Sequence, residues 1–123
     1  MGVMAGVVLK ASLFPYRLSL KAKESQELSV EIGNESGQTK YLSLDIALPG
    51  AVSFDKSGLN RRVNKKLEPL KPGDKKSFLF PVYPTSRGDV GAFDGKLVVQ
   101  EHYANFDYVT GHYSKELVFR IVN

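Results

Sequence analysis

Cysteine and tryptophan are absent from the 123-residue sequence, and the missing cysteine excludes several classes of site. No disulfide framework, thiol nucleophile or cysteine-ligated metal can form, and the redox compartment cannot be read from the chain. The sequence also has no apolar run near the roughly 20 residues that cross a bilayer as a helix. We therefore expect no membrane span, and the localisation stays open.

The motifs of common enzymes are missing as well. There is no G-x-S-x-G, no H-E-x-x-H and no P-loop. The glycine-rich segment 88–95 precedes a predicted strand rather than a helix, so it does not match a phosphate-binding turn. Asp89 and Asp94 in this segment fit turn positions, with a calcium loop as the alternative. These absences predict a protein that is not an enzyme and has no cofactor.

Alternation of apolar and polar residues is what the sequence has in abundance, in segments separated by Gly, Pro, Asn and Asp. Examples are "VVLKASLF", "ELSVEIGN", "YLSLDIALPG", "KSFLFPVYP", "FDGKLVVQEHY" and "HYSKELVFRIV". The opening "MGVMAGVVL" has neither an early Lys or Arg nor a small-x-small cleavage site, so it predicts a first strand rather than a signal peptide. Short strands at this spacing, with no long helix, indicate a soluble all-β antiparallel sandwich that forms one domain over residues 1–123.

Two prolines and one basic segment predict details of the strand arrangement. The apolar parity changes from odd to even positions at Pro15, which predicts a first strand in two halves that pair with different sheets. Pro81 removes a ladder hydrogen bond, which predicts that its strand lies at an edge or leaves its partner there, and favours a sheet in which this fifth strand pairs mainly with the second. Residues 58–67 fit either an edge strand or a short helix, and the like charges that a helix would place at i,i+4 favour the strand.

Four short motifs between Leu28 and Gln100 are typical of one family. They are an apolar-x-apolar-x-Asn run, a strand ending at Leu-Pro-Gly, a Leu-x-Pro-Gly turn and a Gly-x-aromatic before a hydrophobic strand. The matching positions are Val30, Ile32 and Asn34; Leu48, Pro49 and Gly50; Leu70, Pro72 and Gly73; and Gly91, Phe93, Leu97 and Val99. The set resembles the immunoglobulin-like modules of the CARDB and NEW3 type. The resemblance implies an immunoglobulin/fibronectin-III-like sandwich of about seven strands that serves as an adhesion, spacer or carbohydrate-enzyme accessory module.

Both histidines of the chain lie in "QEHYANFDYVTGHY", residues 100–113, and each precedes a tyrosine. If odd positions face the core on both flanking strands, His102 and His112 face solvent directly opposite each other, with Cβ atoms about 5 Å apart. Tyr103 and Tyr113 then share the inner face. Two imidazoles fall short of the ligand set that zinc needs, so we expect two solvent-facing histidines and no metal site.

The tip of this hairpin places Phe106, Tyr108 and Val109 where polar residues are more usual. An exposed aromatic patch at one end of a sandwich suits a protein or a carbohydrate partner. The candidate binding residues are Tyr103, Phe106, Tyr108, Tyr113, His102 and His112. The alternative is that Phe106 and Tyr108 fold back as a lid over the core.

A second candidate site is the basic stretch formed by Arg61, Arg62, Lys65 and Lys66, which would bind nucleic acid or another polyanion. The formal net charge of +4 is modest, and no aromatic residue lies in the stretch to stack a base. Nucleic acid is therefore the weaker prediction, because an extended edge strand would split the cations between two faces and use them to block edge pairing. A third alternative is a structural subunit that assembles through sheet edges.

Overall fold

The computed structural model describes residues 6–21, 25–85, 90–103 and 108–122, and these residues form nine β-strands. The strands are β1 (Val7–Phe14), β2 (Arg17–Ser19), β3 (Gln26–Asn34), β4 (Tyr41–Ala47), β5 (Val52–Ser53), β6 (Arg62–Lys66), β7 (Lys75–Pro84), β8 (Gly91–His102) and β9 (Val109–Val122). The described ranges contain no helix, and hence none long and apolar enough to traverse a bilayer.

The strands build two sheets, as the alternation predicts. The four-stranded sheet has the order β1-β3-β7-β5, and the five-stranded sheet has the order β2-β9-β8-β4-β6. All paired strands are antiparallel except β2, which runs parallel to β9. The all-β sandwich is confirmed. The described residues form nine strands rather than about seven. The first predicted strand is divided into β1 and β2, and the two-residue β5 adds one more.

The core consists of the side chains at alternate positions that meet between the two sheets. Fully buried members are Leu28, Val30 and Ile32 on β3, Leu42, Leu44 and Ile46 on β4, Leu97 and Val99 on β8, and Phe119 and Ile121 on β9. Each such side chain contributes about 1.5–3 kcal/mol by leaving water. The apolar residues of the alternating segments are therefore the ones that these strands bury.

The first strand changes sheets at Pro15, as the parity change predicts. Phe14, the last residue of β1, pairs with Glu27 of β3 in one sheet, and Arg17 begins β2 beside β9 in the other. The Phe14–Pro15 peptide is cis. Gln26 is fully buried behind this bend, and its Nε2 donates to the carbonyl of Pro15 at 2.7 Å. A buried amide thus holds the chain where it crosses between the sheets.

The predicted main pairing of the Pro81 strand is confirmed, although β5 lies outside β7 in the sheet, and the basic segment is a strand, as its charges favour. Residues 75–82 of β7 pair with β3, and among the described strands only the two-residue β5 pairs with the other side of β7, at Tyr83 and Pro84. The nitrogen of Pro81 faces away from β3, toward a side where no described strand pairs with this residue. No ladder hydrogen bond is therefore lost through the proline. The basic segment forms β6, an edge strand that pairs only with β4 among the described strands.

Asn34 fixes the turn that follows β3. Its side chain is 1% exposed. Its Nδ2 donates to the carbonyls of Gln38 and Leu70, each at 2.8 Å, and its Oδ1 accepts from the Ser36 N–H at 2.9 Å. One amide therefore ties this turn to the distant Leu70 segment, which explains why an asparagine stands at the end of this strand.

Candidate interaction site

The β8–β9 hairpin carries most of the predicted binding residues, but its register differs from the predicted one. His112 pairs with Gln100, and a β-bulge after Glu101 shifts His102 to a position opposite Val109. The expected cross-strand histidine pair is therefore wrong. From Gly91 to Glu101 the strands pair two residues away from the predicted register, and the bulge only moves His102 from Thr110 to Val109. Equal parity on two strands is compatible with either register, so parity alone did not identify the pairs.

His102 also differs from the expectation of two solvent-facing imidazoles. It lies on the outer face of the five-stranded sheet, as its parity predicts, yet it is only 7% exposed. Its Nε2 lies 2.8 Å from the Oγ of Ser43 on β4, within hydrogen-bond distance. His112 is exposed, as expected. The two histidines consequently have different environments and do not form one site.

Three large side chains are exposed at the loop end of this hairpin. Tyr103 is 70% exposed, Tyr108 is 68% exposed and Val109 is 53% exposed. The N–H of Tyr103 donates to the carbonyl of Tyr108 at 3.0 Å, which closes the hairpin and holds the two tyrosines at its mouth. We call Tyr103, Tyr108 and Val109 the aromatic end. Tyr108 is exposed and so is no lid over the core.

Two of the tyrosines were assigned to the inner face, and only one of them lies there. Tyr113 packs against the core, so it does not belong to an exposed patch. Tyr103 points to solvent instead of inward, because β8 ends at His102 and the alternation stops there. Phe106, a member of the predicted patch, lies outside the described residues, as does Asp89.

The described residues contain no group of three or more acidic or histidine side chains that could hold a metal ion. His102 and His112 lie at different rows of the hairpin, and Asp94 is an exposed residue near the opposite end of β8. The candidate site therefore consists of apolar and aromatic surface rather than of ligands or titratable groups.

The four cations of the basic stretch do not converge on one surface. Arg62 forms a bidentate pair with Asp45, with its Nη2 2.7 Å from Oδ2. Lys65 lies with its Nζ 5.3 Å from the centre of the Phe78 ring, and Lys66 stands opposite Ser43 on the outer face. Arg61 precedes the strand beside Gly50. The extended backbone thus separates the charges as predicted for an edge strand.

The ion pair between Arg62 and Asp45 also changes the pKa of Arg62. Hydrogen bonding to Asp45, with the attraction of its charge, raises the pKa of Arg62 above its ordinary value. A polyanion would have to compete with Asp45 for this guanidinium. Two lysines of β7 also have carboxylate partners. Nζ of Lys75 lies 3.7 Å from Oε1 of Glu31, and Nζ of Lys76 lies 3.8 Å from Oε2 of Glu68.

A second apolar surface was missed at the sequence level. Phe14 is 78% exposed and Leu79 is 65% exposed on the outer face of the four-stranded sheet. With Pro81 and Glu27 they line a shallow cavity of about 440 Å³. The signal was present, because Phe14 and Leu79 have the parity opposite to the core residues of their own strands.

The two sheets, their order and the first strand that changes sheets define an immunoglobulin-like β-sandwich. No protein-family model matches the sequence. No curated protein matches it either.

Comparison with solved structures agrees with this class of fold. An α-2-macroglobulin mutant from Salmonella superposes with a TM-score of 0.61 and 16% identity over 97% of this chain, which spans 7% of that protein's length. A FixG-related protein from Vibrio parahaemolyticus superposes with a TM-score of 0.58 and 12% identity, covering 96% of this chain and 98% of its own. The β-glucuronidase of Bacteroides uniformis gives 0.52 and 14% identity over 94% of this chain and 13% of its own. At these identities the similarity concerns the fold alone.

Proposed function

We propose that this protein is a non-catalytic interaction module that binds a partner protein through the aromatic end. The observation that carries the proposal is the exposure of Tyr103, Tyr108 and Val109 at the loop end of one hairpin. Each of the three side chains is more than half accessible. Tyrosine is enriched where proteins bind, because it offers a large rigid apolar face and one polar group. Exposing such residues costs solubility, so a partner surface is the simplest use for them.

The similar structures support a module rather than an enzyme. Two of them are large proteins in which the matched part is a small fraction of the chain, 7% of the α-2-macroglobulin and 13% of the β-glucuronidase. A domain of this kind commonly supplies a surface or a spacing within a larger assembly. The CARDB or NEW3 type of module belongs to the same proposal, and a carbohydrate is the alternative ligand for the aromatic end.

A double substitution tests the proposal. We expect Tyr103→Ser with Tyr108→Ser to weaken partner binding at least roughly thirtyfold, the loss typical of two truncated hot-spot residues. Both side chains are mostly exposed, so the thermal unfolding midpoint should change little. The measurement is quantitative mass spectrometry of proteins retained from native cell extract by immobilised wild type and variant.

Leu59→Ser provides the matched control, because Leu59 is another large exposed apolar residue, 84% accessible, in a different loop. A protein retained equally by all three forms would contradict the proposal. Retention of soluble neutral polysaccharide by wild type, lost in the double variant, would replace the protein partner with a carbohydrate. The contacts of Arg62, Lys75 and Lys76 with carboxylates favour the aromatic end over polyanion binding.

A further inference from the structure

One flank of the sandwich carries a free strand edge. Of the described strands, only β2 pairs with the side of β9 that faces away from β8, and it covers only Arg120–Val122. Residues 110–118 of β9 therefore present an open edge, bounded by the β-bulge at one end and by β2 at the other. We call these residues the β9 edge. Unpaired backbone groups in such a row are a template for pairing with another strand.

The backbone groups that point outward along the β9 edge can be identified. The N–H of Leu20, just after β2, donates to the carbonyl of Val122 at 2.9 Å, so the backbone of Val122 faces this side. Successive residues of a strand direct their N–H and C=O groups to alternate sides. His112, Ser114 and Glu116 consequently face the open edge with both backbone groups.

The opposite flank carries more of the residues that discourage strand pairing, although the β9 edge has Lys115 on its inner face. The edges of β6 and β7 on the far flank carry Lys65, Lys75, Lys76 and Pro81, which discourage pairing through charge and a missing N–H. The β9 edge carries one acidic and one basic side chain on its outer face, Glu116 and His112, four residues apart. Neither side chain forms an ion pair with another described residue.

This spacing makes the β9 edge complementary to itself. If two copies pair in antiparallel fashion about Ser114, each His112 stands directly opposite Glu116 of the second copy, and the two Ser114 residues face each other. On the inner face Tyr113 stands opposite Lys115. A histidine–glutamate pair, joined by an imidazole N–H that donates to the carboxylate, and an amphipathic tyrosine–lysine pair are favourable cross-strand neighbours. A two-fold axis generates both His112–Glu116 contacts at once.

The chain's own first strand does not suit the same place. Suppose that β1 left β3 and continued β2 along β9 in the same parallel register. Its even-numbered residues would then face inward, as Leu18 does, which is 2% exposed. Lys10 and Ser12 would then turn into the sandwich, and Leu9 and Leu13 would face water. Burying an unpaired lysine is costly, so β1 stays with β3 and leaves the edge to another molecule.

We infer that two copies of this protein associate through antiparallel pairing of their β9 edges, with Ser114 on the two-fold axis and His112 opposite Glu116. The inference is independent of the proposed function, since the aromatic end is not needed for it. Sedimentation velocity of the full chain over a concentration series should show a reversible dimer. His112→Glu and Glu116→Lys should each weaken it about tenfold or more, because the first places two carboxylates opposite each other and the second removes the carboxylate opposite the imidazole.

The double variant His112→Glu with Glu116→Lys is the deciding measurement. It reverses the pair without removing it, so dimerisation should return to near the wild-type level, a result that a loss of folding could not give. Ser114→Lys should abolish the dimer, since the substituted residue meets its own copy on the axis. Lys10→Glu, on the outer face of β1, is the control and should leave the dimer intact. A monomer at all concentrations would overturn the inference, and so would a dimer that persists unchanged in all the charge variants.

Discussion

Asn34→Asp is expected to destabilise the protein by roughly 3–5 kcal/mol at neutral pH, the cost of a buried charge that keeps only the hydrogen bonds from Ser36. The native amide donates to the carbonyls of Gln38 and Leu70. A carboxylate of the same shape offers those carbonyls no hydrogen and adds a negative charge against them. Asn34 is 1% exposed, so water does not compensate.

The pH dependence of this variant has a defined sign. Burial and the two carbonyl oxygens disfavour the charged form, so the pKa of the introduced carboxyl is raised in the folded state above its unfolded value of about 3.9. The penalty is therefore largest at neutral pH and is relieved as the pH falls through the raised pKa. Urea unfolding at pH 7 and near pH 4.5, each compared with wild type, measures the recovery.

Gln38→Glu is the matched control for the asparagine variant. It adds the same charge in the same turn but at an exposed position, so its stability should stay within about 0.5 kcal/mol of wild type. If Asn34→Asp unfolds at the same urea concentration as wild type at both pH values, the amide does not hold the turn.

Gly95→Ala is expected to cost about 1–3 kcal/mol, the usual penalty for overfilling a packed core. A Cβ at Gly95 would lie 2.7 Å from Cε2 of Phe119 and 3.0 Å from the carbonyl oxygen of Ala47. Phe119 is fully buried in the core, so its ring can make room only by displacing its neighbours. The reason is spatial rather than conformational, since Gly95 does not have a positive φ. Gly95→Val should be worse, because it adds two more carbons at the same point.

Gly37→Ala is the comparison for Gly95, because nothing lies within 4 Å of its would-be Cβ. We expect its free energy of unfolding to remain within about 0.5 kcal/mol of wild type. Equal stability of the two alanine variants in chemical denaturation would show that the contact between β8 and Phe119 is not tight.

The side-chain alternation predicted the core well because it depends on a local property. Successive side chains of a strand point to opposite faces. A polar residue next to Leu28, Ile46 or Phe119 therefore indicates that the apolar side chain beside it faces inward. The same local reading located the change of sheet at Pro15 and the edge position of Pro81. These features need no knowledge of which strands become neighbours.

The interaction site was predicted less well because it depends on register. The position of His102 opposite Val109 follows from a bulge after Glu101, which alternation alone does not reveal. The burial of His102 by Ser43 requires the pairing of β8 with β4, strands far apart in the chain. Gln26 reads in the sequence as an ordinary polar strand residue, yet it is buried because the chain bends over it.

The parallel contact between β2 and β9 also dictates when the protein can fold during its synthesis. Leu18 emerges from the ribosome early, but the residue beside it in the sheet is Ile121. Its buried position, 2% exposed, is therefore incomplete until Ile121 has been synthesised. Pairings between such distant segments form slowly and leave apolar surface open in the meantime. We therefore expect the nascent chain to expose the apolar surface around Leu18 until β9 has been made.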